Sequence, residues 1–164
     1  MPGPAAEKPY RMLYPLRVVL ITSKYGPKEN VMAAAWCFPL SMEPPLFGVS
    51  VSGKRLSHEL ISKGGAFAIN LVDAGMKGKA LAAGRTSGKD RDKFVEIPLA
   101  KEYGTLGIPL LKESHVSIEC RLVRELELGD HVLFVGEAVN IMDRRGGKRA
   151  KGLYHAGGDD FVEI

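Results

Sequence analysis

Between Asn30 and Glu59 the chain gathers residue types that suit one kind of ligand, a flat aromatic ring that ends in a phosphate. Met32-Ala33-Ala34-Ala35 has small side chains, so the backbone can come close to a ring. Trp36 adds one large apolar surface, as a wall or a cover. Ser50-Val51-Ser52-Gly53-Lys54-Arg55-Leu56-Ser57 leads from a strand into a helix. Such a junction offers unpaired backbone N–H groups and the positive end of the helix dipole to an anion. Lys54 and Arg55 add charge, and an arginine can hold a phosphate through two parallel N–H bonds. Each feature also has a plainer reading. The alanines can be tight sheet packing with Trp36 in the core. The junction can be an ordinary helix start with solvated basic residues, where Ser57 caps or lines the first turn.

Other chemistries find little in the sequence. There is no GxxxxGK[ST] loop and no GxGxxG, so neither an ATP loop nor a dinucleotide fold is supported. His58, His115, His131 and His155 are scattered and form no metal-type pair. Cys37 and Cys120 lack metal or redox spacing and read as buried, inert thiols. The net charge is +4, with the basic excess in the 77–93 and 144–151 stretches. That excess fits solvated loops or attraction of phosphate-bearing ligands. No nucleic-acid module or aromatic-interleaved basic motif is present, so no nucleic-acid partner is expected.

The 164 residues suit one domain with a real core. We read 1–14 as an N-terminal arm, mobile over Met1–Pro9, and 15–164 as a single domain. No apolar run reaches the roughly 18 residues of a membrane helix, and the arm lacks a signal-peptide order. No membrane partner and a cytoplasmic location are the default expectations. Strands are expected over Leu16–Thr22, Val31–Phe38, Leu46–Val51 and Ala66–Leu71, from their β-branched and apolar runs. Tyr25-Gly26-Pro27 and Pro44-Pro45 are turns or breaks. A short helix is expected over Leu56–Lys63, stopped by Gly64-Gly65. A second helix is a candidate over Asp73–Gly84, followed by a polar loop to Asp92, and Phe94–Pro109 reads as irregular. Val116 onward alternates apolar and polar residues as a half-buried strand does. After the turn at Leu128-Gly129-Asp130, Val132–Met142 is a nearly continuous apolar strand expected to be buried on both faces. These last two strands should form an antiparallel hairpin. About six strands with two or three short helices give a mainly β fold, a closed or partly closed barrel.

Several motifs occur together and in order: Asn30–Trp36 with Pro44-Pro45-Leu46; Ser57-His58-Glu59-Leu60-Ile61 with Phe67–Leu71; Ser87–Phe94; Gly129-Asp130-His131 to Gly136-Glu137; and Leu153-Tyr154-His155 with Gly157-Gly158. In this combination the chain, over about 15–161, resembles the flavin reductase-like, FMN-binding split-barrel family. Trp36 makes it closer to the flavoredoxin-like branch. The resemblance implies a split β-barrel that dimerises, with FMN near the interface. It implies NADH or NADPH as electron donor, hydride transfer to the flavin, and an acceptor the sequence does not name. Some relatives only bind FMN or carry electrons, so a non-enzymatic electron-transfer protein is the alternative. On this reading no side chain need act as acid or nucleophile. The flavin-site candidates are Asn30, Met32, Ala33, Ala34, Ala35, Trp36, Cys37, Ser50, Val51, Ser52, Lys54, Arg55 and Ser57. Arg85 or Lys93 would reach the flavin phosphate, and His155 would border the nicotinamide side. One departure stands out: Ala33, Ala35 and Cys37 occupy positions where many flavin reductases carry Thr or Ser, so hydroxyl contacts to the flavin are missing there.

Overall fold

The computed structural model describes residues 8–164. Of the expected mobile arm, residues 1–7 lie outside the described residues. The next segment, Pro9–Leu13, is a short 3-10 helix. Twelve strands follow among the described residues: β1 (Leu16–Arg17), β2 (Val19–Tyr25), β3 (Lys28–Ala34), β4 (Cys37–Ser41), β5 (Leu46–Ser52), β6 (Ala66–Leu71), β7 (Lys101–Tyr103), β8 (Pro109–Leu111), β9 (Val116–Leu128), β10 (His131–Asp143), β11 (Leu153–Gly157) and β12 (Asp160–Glu163). The helices are α1 (Leu56–Gly64), α2 (Lys77–Arg85) and α3 (Lys93–Glu96).

Seven strands form one antiparallel sheet in the order β3-β2-β6-β9-β10-β5-β4. Its two edge strands, β3 and β4, are consecutive in the chain and joined by Ala35 and Trp36. The sheet therefore curls back on itself but does not pair across that seam, which makes the barrel a split one. Inside it lie Val19, Ile21, Val49, Val51, Ile61, Phe67, Ile69, Cys120 and Phe134. A second core, with Val18, Leu20, Val31, Val72, Ala80, Ala83, Ile97 and Leu153, sits under α2 and the β11–β12 hairpin. α1 closes one end of the barrel with buried Leu56, Leu60 and Ile61, at helical spacing. It stops where Gly65 takes φ +70° and returns its N–H to the Ile61 carbonyl at 2.8 Å.

Several strand expectations need correction. The expected Val31–Phe38 strand breaks at Ala35-Trp36, where the chain leaves β3 and enters β4. The expected Leu16–Thr22 strand breaks at Val18: β1 pairs with β11 in a small sheet, while β2 joins the barrel. The Asp73–Gly84 candidate is a 3-10 turn, Ala74–Met76, capped by Asp73 Oδ1 on the Gly75 N–H, followed by α2. Within the irregular stretch, β7 pairs with β8. Only Phe134, Val135 and Gly136 of β10 are buried. The other apolar residues of that strand are half covered or exposed: Val132 packs on the barrel core and Met142 against Ile108 and Leu110, while Ile141 is 60% exposed. Gly136 has a packing reason: a Cβ there would lie 2.6 Å from Cys120 Cβ and 2.7 Å from the Phe67 ring.

A cleft at the barrel seam

A cleft of about 760 Å³ opens along the seam, lined by Met32–Trp36 on one side and by Ser50, Ser52, Lys54 and Arg55 on the other. The Ser50 N–H donates to the Trp36 carbonyl at 2.9 Å, which fixes the two sides against each other. Ser50 and Ser52 alternate with the buried Val49 and Val51, so the serines face the cleft and the valines the core. From Ser52 the chain makes a tight turn, with the Arg55 N–H on the Ser52 carbonyl at 3.0 Å, and enters α1. Arg55 is the residue before the helix and gives it no side-chain cap.

At this end the cleft shares Met32, Ala33, Lys54 and Arg55 with a small cavity of about 60 Å³. The small cavity is closed by Thr86, Ser87, Gly88 and Lys93. Lys93 is 4% exposed. Its Nζ donates to the Val31 carbonyl at 2.8 Å and the Ala83 carbonyl at 2.7 Å. An ammonium has three donors, so one remains. Burial, then the neighbouring Arg55 guanidinium, push the Lys93 ammonium down to about 8. Arg55 itself makes no ion pair among the described residues. Asn30 is 3% exposed and lines the same cavity. Its Nδ2 donates to Ser57 Oγ at 2.9 Å while its Oδ1 has no partner. Turned over, the same amide would point its NH₂ the other way and accept from the Ser57 hydroxyl. Two cations, one spare ammonium proton, an invertible amide and a helix start thus converge on a space that holds a few water-sized groups. That donor set suits a phosphate.

A third hollow, about 260 Å³ and mostly apolar, shares Ala33–Ala35 with the cleft and lies between α2 and the β11–β12 hairpin. His155 and Phe161 line it, and Arg85 borders it in an ion pair with Asp159.

Of the sequence candidates, Met32, Ala33, Ala34, Ala35, Trp36, Ser50, Ser52, Lys54 and Arg55 line the cleft, and Asn30 and Lys93 line its small cavity. Five lie off these walls. Val51 points into the barrel core. Cys37 packs on the same core, where burial pushes its thiol up to about 12. Ser57 is buried behind Asn30 and does not cap its helix. Arg85 is held by Asp159 at the apolar hollow, as is His155 by the Gly158 carbonyl at 2.9 Å. The sequence reading did not single out Tyr10, Tyr14, Asp130 and His131 for the site, yet all four line the cleft. The aromatic residues flanking Pro9 and Pro15 were the available signal for the tyrosines.

The family model for the flavin reductase like domain matches residues 11–162. The chain belongs to the flavin reductase-like family. An uncharacterized protein of Archaeoglobus fulgidus is 39% identical over 130 residues, spanning 79% of this chain and 73% of that protein. A ferric-chelate reductase (NAD(P)H) of the same organism is 28% identical, over 80% of this chain and 76% of its own length. Among solved structures, an FMN-binding protein from Thermus thermophilus superposes with a TM-score of 0.88 at 29% identity, covering 99% of this chain and 92% of that one. A flavoredoxin from Methanosarcina acetivorans gives 0.85 at 29% identity, over 93% and 86%. The expected mainly β, split-barrel fold of this family is the one observed. No helix among the described residues is long and apolar enough to cross a membrane.

Proposed function

We propose that the seam cleft holds FMN, that the chain takes a hydride from NADH or NADPH onto that flavin, and that the electrons pass on to an acceptor. The observation that carries the reading is the small cavity at the start of α1, where buried Lys93 and the unpaired Arg55 meet. The cavity, about 60 Å³, suits one terminal phosphate and opens into the cleft, which favours FMN as the flavin. The T. thermophilus protein's description as FMN-binding supports the same choice.

In this arrangement Arg55, Lys93 and the first N–H groups of α1 hold the phosphate. Asn30, braced by Ser57, contributes its amide. The bare backbone of Ala33–Ala35 and the Ser50 and Ser52 hydroxyls form the slot for the ring. FMN, when bound, supplies the hydride-accepting and electron-releasing chemistry. The chain's own work is to bind, to orient and to exclude water.

A second copy completes the proposal. Ser52 is paired across the sheet with His131, and His131 with Leu128; Ser50 is paired with Leu133, and Leu133 with Leu126. Directly opposed residues share a face. The cleft therefore opens onto an outer face that carries Leu126, Leu128, Leu133 and, beside them, Phe38 and Leu40 stacked over Gly48. Phe38 is 42% and Leu128 56% exposed, on a sheet whose edge is β4. Such a patch beside an open edge marks an interface. A second copy laid there forms a homodimer and roofs the cleft.

The flavoredoxin likeness supports one other reading, an electron carrier that NAD(P)H does not reduce. One experiment separates the cases. The purified protein, reconstituted with FMN, receives NADH or NADPH without oxygen while its visible spectrum is followed. Rapid bleaching is expected. A flavin that binds but does not bleach leaves the carrier. A protein that takes up no FMN ends both readings.

A further inference from the structure

Met32 is the one easily oxidised residue at the place where the small cavity joins the cleft. The two share Met32, Ala33, Lys54 and Arg55, so a ligand with its phosphate in one and its ring in the other passes along these four. Met32 is half-buried; opposite Ile21 on the β2–β3 pair, it packs partly on the barrel core. The other described sulfurs differ. Met12 and Met42 stand 65% and 93% exposed and line neither space. Met76 and Cys120 are buried, and Met142 accepts a hydrogen bond from Arg144. Cys37 packs on the core, and burial pushes its thiol up to about 12, so it stays protonated and a poor nucleophile.

We infer that Met32 is an oxidation site, at which a chain that holds reduced flavin without an acceptor shuts off its own cofactor site. This rests on the FMN reading. The co-reactant is dioxygen. Dioxygen takes two electrons and two protons from the reduced flavin and becomes hydrogen peroxide. The Met32 sulfur attacks one peroxide oxygen, and the O–O bond breaks. That oxygen stays on sulfur as the sulfoxide, and the other leaves with both protons as water. Toward peroxide, a thioether reacts ahead of the phenol, indole and imidazole rings of Tyr10, Tyr14, Trp36 and His131 that share the cleft. Exposure and proximity then give opposite orders among the methionines. Peroxide from bulk solution reaches Met42 first and Met12 next, whereas peroxide formed at the ring arises beside Met32. Oxidation turns an apolar side chain into a polar one whose new oxygen needs a donor. Ile21 and its apolar neighbours on the core side offer none. The oxygen therefore turns to the cavity side, where Lys54 and Arg55 can donate, and takes room that the flavin needs.

The test reads each methionine rather than activity. FMN-loaded protein is reduced without oxygen by dithionite, freed of excess reagent and opened to air in the dark, through several cycles, with and without catalase. Peptide mass spectrometry follows the gain of one oxygen at each methionine. Met32 should be oxidised several-fold faster than Met42 and Met12, catalase should protect those two but not Met32, and FMN should be lost in step with Met32. Hydrogen peroxide added to FMN-free protein should reverse the order. Protein oxidised at Met32 should bind FMN about tenfold more weakly or worse, the loss that one misplaced polar group brings. Met32→Leu, close in volume, should keep its FMN through the same cycles. Met42 or Met12 oxidised ahead of Met32 in the cycled protein, protection of Met32 by catalase, or equal loss of FMN from Met32→Leu would each overturn the inference while the FMN reading stands. A chain that takes up no FMN ends both.

Discussion

Lys93 makes the phosphate end of the cleft sensitive to pH in a direction that can be worked out. In the FMN-free chain its ammonium titrates at about 8, against 10.5 for an ordinary lysine, because burial and Arg55 disfavour its charge. The groups that face it are known. β3 and α2 offer only carbonyl oxygens, of Val31 and Ala83; the turn before α1 offers Arg55 and Lys54; Thr86, Ser87 and Gly88 do not titrate. No carboxylate lines the cavity to hold the proton on. A bound phosphate supplies that missing anion, and its second proton is lost near pH 6, so it is close to a dianion throughout the range of interest. Binding then pulls the Lys93 value up, and by linkage the FMN affinity must fall as pH rises past 8. If the bound value returns to the ordinary 10.5, the affinity drops roughly 30-fold between about pH 7 and about pH 9.5.

The assay is quenching of flavin fluorescence on binding, at a series of pH values, for FMN and for riboflavin. FMN should show the loss and riboflavin, which has no phosphate, should not. Lys93→Met keeps the stem and removes the charge; it should bind FMN more weakly near pH 7 and with little slope. Stability of the FMN-free protein should move the opposite way. Between about 8 and 10.5 the unfolded chain holds the Lys93 proton and the folded chain does not. Stability relative to Lys93→Met therefore rises with pH across that window, by up to about 3 kcal/mol. Parallel FMN and riboflavin curves, or a slope that survives in Lys93→Met, would refute the reasoning.

Other outcomes follow from the same geometry. Arg55→Ala removes one or two charge-assisted hydrogen bonds, about 1.5–3 kcal/mol each, so FMN affinity should fall tenfold or more with riboflavin nearly unchanged; equal weakening of both would make Arg55 structural. Light scattering should give twice the 17.8 kDa chain mass, and Leu133→Glu, on the outer face opposite Ser50, should return a monomer with weakened FMN binding; a wild-type monomer that binds FMN tightly would take the second copy out of the site. Gly136→Ala puts a methyl 2.6 Å from Cys120 Cβ and should cost about 1–3 kcal/mol in urea unfolding, with an unchanged midpoint showing that the barrel wall gives way.

Strands were legible where one chain alone decides their burial. Ala66–Leu71 was read with the bounds it has, because it is central and covered on both faces. The β9–β10 hairpin was legible from its alternation and its Gly129 turn. β10 was misjudged in burial: its apolar run reads as covered on both faces, yet outside Phe134–Gly136 the strand is half-buried or exposed. Breaks at Val18 and Ala35-Trp36 carried no glycine or proline to announce them. They arise because the chain changes sheets or rounds the seam, and that is decided by tertiary packing.

The site shows the same division. Ala33–Trp36, Ser50, Ser52, Lys54 and Arg55 come from two short runs, and local chemistry was enough to pair them. Lys93 was named for the phosphate together with Arg85, but its sequence neighbours are polar and charged and nothing local marked it as the buried one. It is buried because the 86–88 loop folds over the start of α1, with the Gly88 backbone set against the Asn30 amide so closely that a side chain there would collide. No local pattern encodes that approach. The tyrosines lay in a segment read as an arm, where proline and alanine dilute the apolar signal, and only the position of Trp36 at the seam gives them a place to go. The residues hardest to see from sequence are thus those that act across the seam, and the seam is also where a ligand must enter. A split barrel leaves its edge strands unpaired at that line, so the open backbone and the binding surface are the same feature.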